Sequence, residues 1–280
     1  MHLIHDGALS ARAYRAIVDI VYQHSRIKLG EDKQTLLANR LGKRIRQLGL
    51  SSYDDYCDKL GALGSQEEIE HLVDLISTNH TRFYREPDHF AYLTEKILPG
   101  FLPRLHADRS PLRIWSAASS SGEEPYTLAI VLSEYLRGHP SLTWKIEASD
   151  ISRSILAKAE KAIYRMDAVE PVPMELLRRY FLKGVEEHDG YCRVRKELRE
   201  KVRYARVNLF QDEYPITPKQ HVIFCRNVMI YFDIPSREEA VRRLTQFLVP
   251  GGYLIVGHSE SLMGVRHGLV GIKQGIYQKP

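Results

Sequence analysis

The sequence predicts an α/β protein in which a mostly parallel sheet follows an all-helical segment, and three observations support this fold class. Residues 1 to about 75 show only the 3.6-residue spacing of apolar side chains that is typical of amphipathic helices. From Leu112 onwards, strand-like and helix-like stretches alternate, which indicates a parallel sheet with helices on both faces. Residues 113–126 combine a short apolar run, a turn of small residues and a helix start, and α/β sheets present ligands at such a turn.

The composition is that of an ordinary globular protein. Of the 280 residues, 44% are hydrophobic and 27% are charged. The three cysteines are widely spaced and form no CxxC pair, which favours a reducing compartment and predicts neither a disulfide framework nor a metal site. The sequence has neither a recognisable signal peptide nor a membrane-spanning stretch, so we expect a cytoplasmic protein that does not insert into a membrane.

Four helices are predicted in the first segment, at residues 11–22, 33–48, 52–63 and 66–76. The second of them carries a basic face made of Lys33, Arg40, Lys43, Arg44 and Arg46. Residues 1–50 contain nine Lys or Arg and four Asp or Glu, an excess of five that equals the net charge of the whole chain, +5. The face is either a solvated helix surface or a docking surface for an acidic partner. Nucleic acid is not the expected partner, because the face lacks interleaved aromatic residues.

The segment TNHTRFYREPDHF, residues 78–90, places the polar residues Asn79, Thr81 and Arg85 among aromatic side chains. In one interpretation Thr78 or Thr81 caps a helix and Arg85 lies on the surface. In the other, the segment links the two parts of the chain and folds over a cofactor. Its position between the helical part and the α/β part favours the second interpretation.

The turn after the first predicted strand consists of the small residues 117–122, followed by Glu123, Glu124 and Pro125. Small side chains let a ligand approach the backbone, and proline suits the first turn of a helix. A helix N-terminus attracts anions, but the two carboxylates would repel a phosphate. A nucleoside without phosphates, such as S-adenosylmethionine, therefore fits better. The alternative is an acidic first turn that stabilises its own helix.

The other elements follow in order. Strands are predicted at residues 112–116, 144–148, 202–207, 221–225 and 253–257, and helices at 125–136, 151–163 and 236–248. Residues 165–199 interrupt the alternation and predict a β-hairpin insertion, and the C-terminal GIYQKP predicts a last, antiparallel strand at or near the sheet edge. Asp150 ends the second strand, 26 residues after Glu124, where nucleotide-binding folds place the carboxylate that binds ribose. Asp150 could instead, or in addition, cap the next helix.

Five motifs occur in the order and spacing seen in bacterial chemotaxis receptor methyltransferases: TNHTRFYRE, WSAASSSGEEPY, ASDIS, FCRNVMIYFD and GHSES. From about residue 10 to residue 278 the chain resembles this family, the CheR family. The resemblance implies a class I S-adenosylmethionine-dependent methyltransferase (Rossmann-like) domain at 101–280, with a small β-subdomain inserted at about 168–200. It also implies an N-terminal helical receptor-docking domain at 1–77 and a linker at 78–100 that contributes to the cofactor site.

The resemblance further implies which residues form the site. It assigns cofactor contacts to Asn79, Thr81, Arg85, Glu124, Asp150, Asn208, Leu209, Arg226 and Asn227. Within this set, Asp150 is the carboxylate that binds the ribose. Asn208 and Leu209, after the third strand, lie near adenine, and Arg226 and Asn227, after the fourth strand, lie near the methionine end. Arg85 and Tyr231 are expected closest to the transferred methyl group and are the predicted catalytic residues.

The implied activity is transfer of a methyl group from S-adenosylmethionine to chemoreceptor glutamate side chains, which gives glutamyl 5-O-methyl esters and S-adenosylhomocysteine. A glutamate carboxylate is ionised at neutral pH, so its attack needs no general base. Amine-directed methyltransferases often carry prolines after the fourth strand, and their absence from NVMIY at residues 227–231 favours an oxygen nucleophile. Two rivals stay open: a methyltransferase acting on another acid or on nucleic acid, and a cofactor-binding signalling adaptor without catalysis.

The implied partner is the cytoplasmic coiled coil of a chemoreceptor, which the basic helical face would contact. Some members of the family also bind a receptor's C-terminal peptide at the β-subdomain by adding a strand, and the sequence leaves this interaction open. We expect the protein to be a monomer.

Overall fold

The computed structural model describes residues 9–62, 65–217 and 219–280, which form two compact units. The first unit comprises the described residues up to Thr78 together with Tyr231–Ser236, and the second comprises Asn79–Ile230 and Arg237–Pro280. The domain boundaries read from the sequence stay predictions. The short segment Tyr231–Ser236 belongs to the first unit, although it lies within the predicted methyltransferase domain at 101–280. Within the described ranges, no helix combines the length and the apolar character that crossing a membrane requires.

Four α-helices build the first unit, as the apolar periodicity predicts: α1 (Ala11–Ser25), α2 (Gln34–Gln47), α3 (Tyr53–Gly61) and α4 (Gln66–Ile76). The side chains of Ser10 and Ser52 cap α1 and α3, because each accepts a hydrogen bond from the backbone N–H three residues further on. The apolar faces of the helices meet in one core, in which Ile17, Leu41 and Leu72 are fully buried. The predicted helical segment is therefore confirmed.

Two residues of the predicted docking face, Arg40 and Arg44, make internal contacts in this unit. The Arg40 Nη1 donates to the carbonyl oxygen of Ile76 at 2.6 Å, which satisfies an end carbonyl of α4. Arg44 donates to the buried Glu68 carboxylate through Nε at 3.0 Å and Nη2 at 2.6 Å, and the Tyr56 hydroxyl donates to it at 2.8 Å. These two arginines hold the helices together. The exposed members of the predicted face are Lys33, Lys43 and Arg46.

We predict that Arg44→Ala lowers the free energy of unfolding by about 3 kcal/mol, because it leaves the buried Glu68 carboxylate without its charged partner. Urea unfolding followed by far-ultraviolet circular dichroism measures the loss. The matched control is Lys43→Ala on the exposed side of the same helix, which should change stability by no more than about 0.5 kcal/mol. Equal losses in the two variants would contradict the structural role of Arg44.

The second unit alternates strands and helices from Leu112 onwards, as predicted. Its strands are β1 (Leu112–Ala117), β2 (Trp144–Asp150), β3 (Ile163–Arg165), β4 (Phe181–Lys183), β5 (Tyr191–Val194), β6 (Val202–Arg206), β7 (Gln220–Cys225), β8 (Leu248–Ile255), β9 (Val270–Lys273) and β10 (Ile276–Gln278). Seven of them form one sheet in the order β6-β2-β1-β7-β8-β10-β9. The first five in this order run parallel, and β10 is antiparallel to both of its neighbours. The predicted α/β class is confirmed. The edge strand β9 was not among the predicted strands.

The helices that follow α4 are α5 (Pro87–Tyr92), α6 (Leu98–Asp108), α7 (Glu123–Tyr135), α8 (Arg153–Lys161), α9 (Met174–Tyr180), α10 (Lys196–Arg199) and α11 (Ile234–Gln246). A π-helical turn at Leu93–Ile97 joins α5 to α6. Phe90, Leu93 and Leu98 are buried in the core beneath the sheet. The predicted linker at 78–100 is therefore helical from Pro87 onwards and contributes to the core of the second unit.

The remaining three strands form a small antiparallel sheet in the order β3-β5-β4. The β-subdomain expected at about 168–200 contains β4 and β5, whereas β3 precedes that range. Ala162, with a φ of 54°, ends α8 and separates it from β3. The sequence predicted a helix that reaches Ile163 and an insertion that begins at Arg165, and it did not predict β3, because a three-residue strand is too short to show a period of its own.

Candidate functional site

The carboxyl ends of the five parallel strands lie at one edge of the large sheet, because parallel neighbours run in the same direction. At this edge β1 enters the small-residue turn and β2 ends at Asp150. Asn208 follows β6, Arg226 follows β7, and Gly257 follows β8. The topology thus brings the predicted cofactor contacts from four different strands to the edge where α/β sheets bind ligands.

The turn after β1 contains three residues in the left-handed region of backbone conformation. Ala118 and Ser120 have φ values of 64° and 49°, and Gly122 has a φ of 98°. A Cβ on Gly122 would lie 2.7 Å from the Tyr164 hydroxyl and 3.0 Å from the Tyr204 hydroxyl. Glycine is needed at this position both for its backbone conformation and for the close approach of these side chains.

The buried Asp150 carboxylate fixes this turn from the end of β2. Its Oδ2 accepts a hydrogen bond from the Ser120 N–H at 2.9 Å, and its Oδ1 accepts one from the Ser152 N–H at 3.0 Å. The N-cap of α8 is Ser152, whose hydroxyl oxygen accepts the Ile155 N–H at 3.1 Å. The capping role that the sequence left open for Asp150 therefore belongs to Ser152.

The two residues expected near adenine follow β6, which is the neighbour of β2 in the sheet. The Asn208 Oδ1 accepts the Phe210 N–H at 3.0 Å, which fixes a turn directly after the strand. Leu209 is buried, with 7% of its surface exposed. These residues add an apolar side chain and a fixed backbone to the same edge of the sheet.

A buried guanidinium holds the region after β7. The Arg226 side chain is 2% exposed, and it donates to Glu124 at 3.1 Å, to Glu86 at 2.9 Å and to the carbonyl oxygen of Arg85 at 2.6 Å. The Ser116 hydroxyl also donates to Glu124, at 2.6 Å. Burial raises the pKa of Glu124, and the charge of Arg226 opposes this shift. Burial acts in the same direction on Glu86, but Arg226, Asn227 and His258 together outweigh it, so the pKa of Glu86 is lowered.

Two carboxylates that shape this region, Glu86 and Glu260, were not predicted as site residues from the sequence. Glu260 is buried and accepts backbone N–H groups from Asn227 at 2.6 Å, Met229 at 2.6 Å and Gly257 at 2.7 Å. It thereby ties the chain after β7 to the chain after β8. The Nδ2 of Asn227 donates to Glu86 at 3.3 Å. Both acids stand in quoted motifs, RE and GHSES, but a sequence alone does not reveal which acids of a motif are buried.

The residues before α5 differ in how they relate to the turn. The carbonyl oxygen of Asn79 accepts from the Ser120 hydroxyl at 3.3 Å, which places Asn79 at the turn after β1. The Arg85 Nη1 donates to a backbone carbonyl five residues earlier at 2.9 Å, and Thr81 is half-buried. Tyr231 belongs to the first unit, whereas the predicted cofactor contacts belong to the second.

Among the described residues, one group of side chains could hold a metal ion: the ligand atoms of Glu86, His89 and His258 lie within 4.8 Å of one another. The Arg226 guanidinium already lies 2.9 Å from Glu86 and contributes a positive charge there. A metal cation would be repelled by this charge. The expectation that the site works without a metal stays a prediction.

Comparisons with known proteins cover both units. The family profile described as "CheR methyltransferase, SAM binding domain" matches residues 79–275, and "CheR methyltransferase, all-alpha domain" matches residues 12–77. The chain is 40% identical over 254 residues to the chemotaxis protein methyltransferase of Salmonella typhimurium, which covers 91% of this chain and 85% of that protein. It is 39% identical to the Escherichia coli protein of the same name, over 91% of this chain and 86% of that protein. It is 37% identical to chemotaxis protein methyltransferase 2 of Pseudomonas aeruginosa, over 94% and 91% respectively.

His89, which belongs to the group of Glu86, His89 and His258, is fully buried, and its ring packs edge to face on His258 with centroids 4.7 Å apart. Burial and then the charge of Arg226 lower the pKa of His89 from 6.5 to about 4. Between these two values the unfolded chain binds a proton at His89 and the folded chain does not. The free energy of unfolding therefore rises with pH in this window. As the pH falls from 6.5 towards 4, the buried neutral His89 lowers the stability of the fold.

We predict that His89→Gln weakens the pH dependence of the unfolding free energy between pH 7 and pH 5 by up to about 1.4 kcal/mol per pH unit. Urea unfolding at both pH values measures the slope. The same substitution at His188, whose side chain is 76% exposed, is the control and should keep the wild-type slope. A His89→Gln slope equal to that of the wild type would show that the buried imidazole does not have the lowered pKa.

Proposed function

The chain belongs to the CheR methyltransferase family, and from this premise we propose that it is a protein-glutamate O-methyltransferase. It transfers the methyl group of S-adenosylmethionine to glutamate side chains of chemoreceptors, which gives glutamyl 5-O-methyl esters. The observation that supports this proposal most strongly is that both family profiles match along one chain whose shared motifs meet at a single sheet edge.

S-adenosylmethionine is the cofactor of this family, and when bound it supplies an electrophilic methyl group on a sulfonium. In our proposal Asp150 holds the ribose hydroxyls, and Asn208 and Leu209 flank the adenine. The other contacts come from Asn79, Thr81, Arg85, Glu124, Arg226 and Asn227. The chemistry of the turn fits this group, because buried carboxylates of Asp150 and Glu123 beside it favour a ligand without phosphates.

The reaction asks for positioning rather than for proton transfer. The substrate carboxylate, with a reference pKa near 4.3, is ionised at neutral pH. One of its oxygens attacks the methyl carbon in line, so that a C–O bond forms while the C–S bond breaks, and the products are the ester and S-adenosylhomocysteine. Arg85 pairs with the entering carboxylate and offsets part of a desolvation cost of several kcal/mol. Tyr231 orients the same carboxylate by a hydrogen bond.

The exposed basic residues of the first unit dock the acidic, glutamate-bearing coiled coil of the receptor. Lys33, Lys43 and Arg46 are exposed, whereas Arg40 and Arg44 are engaged within the unit. The docking surface is therefore narrower than the five residues predicted from the sequence. Exposed charges of this kind raise the rate of encounter more than they raise affinity.

The small sheet offers a second contact, for a receptor's C-terminal peptide. Since β5 is its central strand, β3 and β4 are edge strands to which an extended peptide can add. The protein acts as a monomer on the cytoplasmic part of the receptor in this proposal.

To test the reaction, we would incubate the protein with methyl-tritiated S-adenosylmethionine and receptor-bearing membranes. We expect label on the receptor that mild base releases, as an ester requires. Arg85→Ala should lower kcat by about 100-fold, because the carboxylate loses its orienting partner. The matched control is Arg82→Ala, an exposed arginine of the same segment, which should keep the wild-type rate.

Other outcomes of this experiment point elsewhere. Base-stable label, or label on nucleic acid, would contradict an oxygen nucleophile on the receptor. Calorimetric binding of the cofactor without any transfer of label would indicate a signalling adaptor. A near-normal rate of Arg85→Ala would remove Arg85 from the mechanism and leave the ester chemistry intact.

We also predict that reversing the docking charges, with Lys43→Glu and Arg46→Glu together, raises KM for the receptor about five- to tenfold at low salt and leaves the KM for cofactor unchanged. The effect should shrink as salt is added, because exposed charges are screened over about 8–10 Å. Lys158→Glu with Lys161→Glu, an exposed pair of equal spacing at the end of α8, makes the same change in net charge and is the control. Equal effects of the two double variants would mean that net charge, and not this surface, attracts the receptor.

A further inference from the structure

The segment that carries Tyr231 is held by residues at the end of α1. The backbone N–H of Lys28 donates to the carbonyl oxygen of Tyr231 at 2.9 Å. Two residues further on, the Asp233 Oδ2 accepts a hydrogen bond from the Tyr22 hydroxyl at 2.5 Å. All four residues belong to the first unit, so the helical part of the protein fixes this segment at both of its ends.

Asp233 is a fixed anchor for the Tyr22 hydroxyl because its other oxygen is also engaged. The Asp233 Oδ1 accepts the Ser236 N–H at 3.0 Å and so caps the start of α11. Hydrogen bonds from Ser236 and then from Tyr22 lower the pKa of Asp233, so the acceptor stays ionised at neutral pH. A hydrogen bond to an ionised acceptor is stronger and shorter than one between neutral groups. The backbone of residues 231–233 is therefore held by a strong contact.

The end of α1 and the residues after it position both hydrogen-bond donors, the Tyr22 hydroxyl and the Lys28 N–H. Arg26, with a φ of 57°, ends α1 in a left-handed conformation, and its N–H donates to the carbonyl oxygen of Tyr22. Beyond this cap, the Lys28 N–H donates to Tyr231, and the Tyr22 side chain from the last turn of the helix donates to Asp233. The Arg26 guanidinium lies 5.4 Å from the centre of the Tyr22 ring, which restricts the ring further.

We propose that Tyr22 is a positioning residue for Tyr231, through which the helical unit orients the hydroxyl that acts in methyl transfer. This inference rests on the proposed role of Tyr231 in catalysis. Tyr22 touches neither substrate nor cofactor in this assignment. It holds the peptide that carries Tyr231, and only four residues lie between Tyr231 and Arg226 in the sequence. On this proposal, the contact from Tyr22 affects the chemical step through Tyr231 alone.

The test is Tyr22→Phe, which removes one hydroxyl and keeps the ring. We expect kcat for receptor methylation to fall about tenfold, because the Tyr231 hydroxyl loses its fixed position. The KM for S-adenosylmethionine and the calorimetric affinity for S-adenosylhomocysteine should stay at wild-type values. The matched control is Tyr53→Phe, which removes another tyrosine hydroxyl bond in the same unit, to the Ala38 carbonyl at 3.1 Å. Its kcat should equal that of the wild type.

A double-mutant cycle separates positioning from loss of stability. If Tyr22 acts through Tyr231, then Tyr22→Phe should lower kcat much less in a Tyr231→Phe background than in the wild type. Additive losses in the cycle, or an unchanged kcat of Tyr22→Phe, would overturn the inference. A Tyr231→Phe enzyme with a normal kcat would instead overturn the role of Tyr231 on which it rests.

A second variant, Asp233→Ser, tests the same inference if the Tyr22→Phe protein does not fold. Asp233→Ser keeps an N-cap side chain for α11 but is too short to meet the Tyr22 hydroxyl. Its kcat should fall by the same factor, about tenfold, again without a change in cofactor affinity. A normal kcat in a folded Asp233→Ser protein would overturn the inference independently.

Discussion

A guanidinium that is removed from water must be paired, and this constraint organises the sheet edge of the second unit. Arg226 is buried, and an unpaired charge there would cost several kcal/mol. Its partners, Glu124 and Glu86, come from the start of α7 and from the residue before α5, which are far apart along the chain. Phe90 packs against the same guanidinium, with 5.6 Å from its ring centre to the Arg226 Cζ. One buried ion therefore joins the segment before the sheet, the first crossover helix and the strand end that carries the candidate site.

The same pairing stabilises backbone conformations that would otherwise be unfavourable. Glu86 and Asn227 have φ values of 55° and 59°, a left-handed region that costs a non-glycine residue of order 1 kcal/mol or more. Both residues are held by the cluster, Glu86 through Arg226 and Asn227 through Glu260 and Glu86. Strain of this kind persists only where surrounding contacts determine the conformation. Backbone strain at both Glu86 and Asn227 indicates that the surrounding contacts fix the geometry of this sheet edge without a bound ligand.

Much of the fold could be predicted because it depends on local periodicity and on strand ends. The alternation from Leu112 predicts parallel strands, and the position of Asp150 at the end of β2 follows from the same pattern. Pairings over long sequence distances could not be predicted. Arg40 and Arg44 have the same spacing as exposed basic residues, and only the packing of α2 against α4 shows that they bond internally. The burial of Glu260 and the grouping of Tyr231 with the helical unit likewise depend on contacts between distant segments.

The charges of the cluster also bear on the chemistry. Glu86, Glu124 and Arg226 together carry a net charge of −1 when all three are ionised, which complements a sulfonium and opposes a phosphate. In the reaction that we propose, a carboxylate attacks a sulfonium, so both charges diminish in the transition state. A site that bound either charge too tightly would stabilise the reactants and slow the reaction. Charges that are already paired with one another, such as that of Arg226, do not bind either reactant charge tightly and therefore do not slow the reaction in this way. On the proposed mechanism, the rate then depends on how accurately the entering carboxylate is oriented, and residues 231–233, which are anchored at both ends, suit the orienting role that we propose for Tyr231.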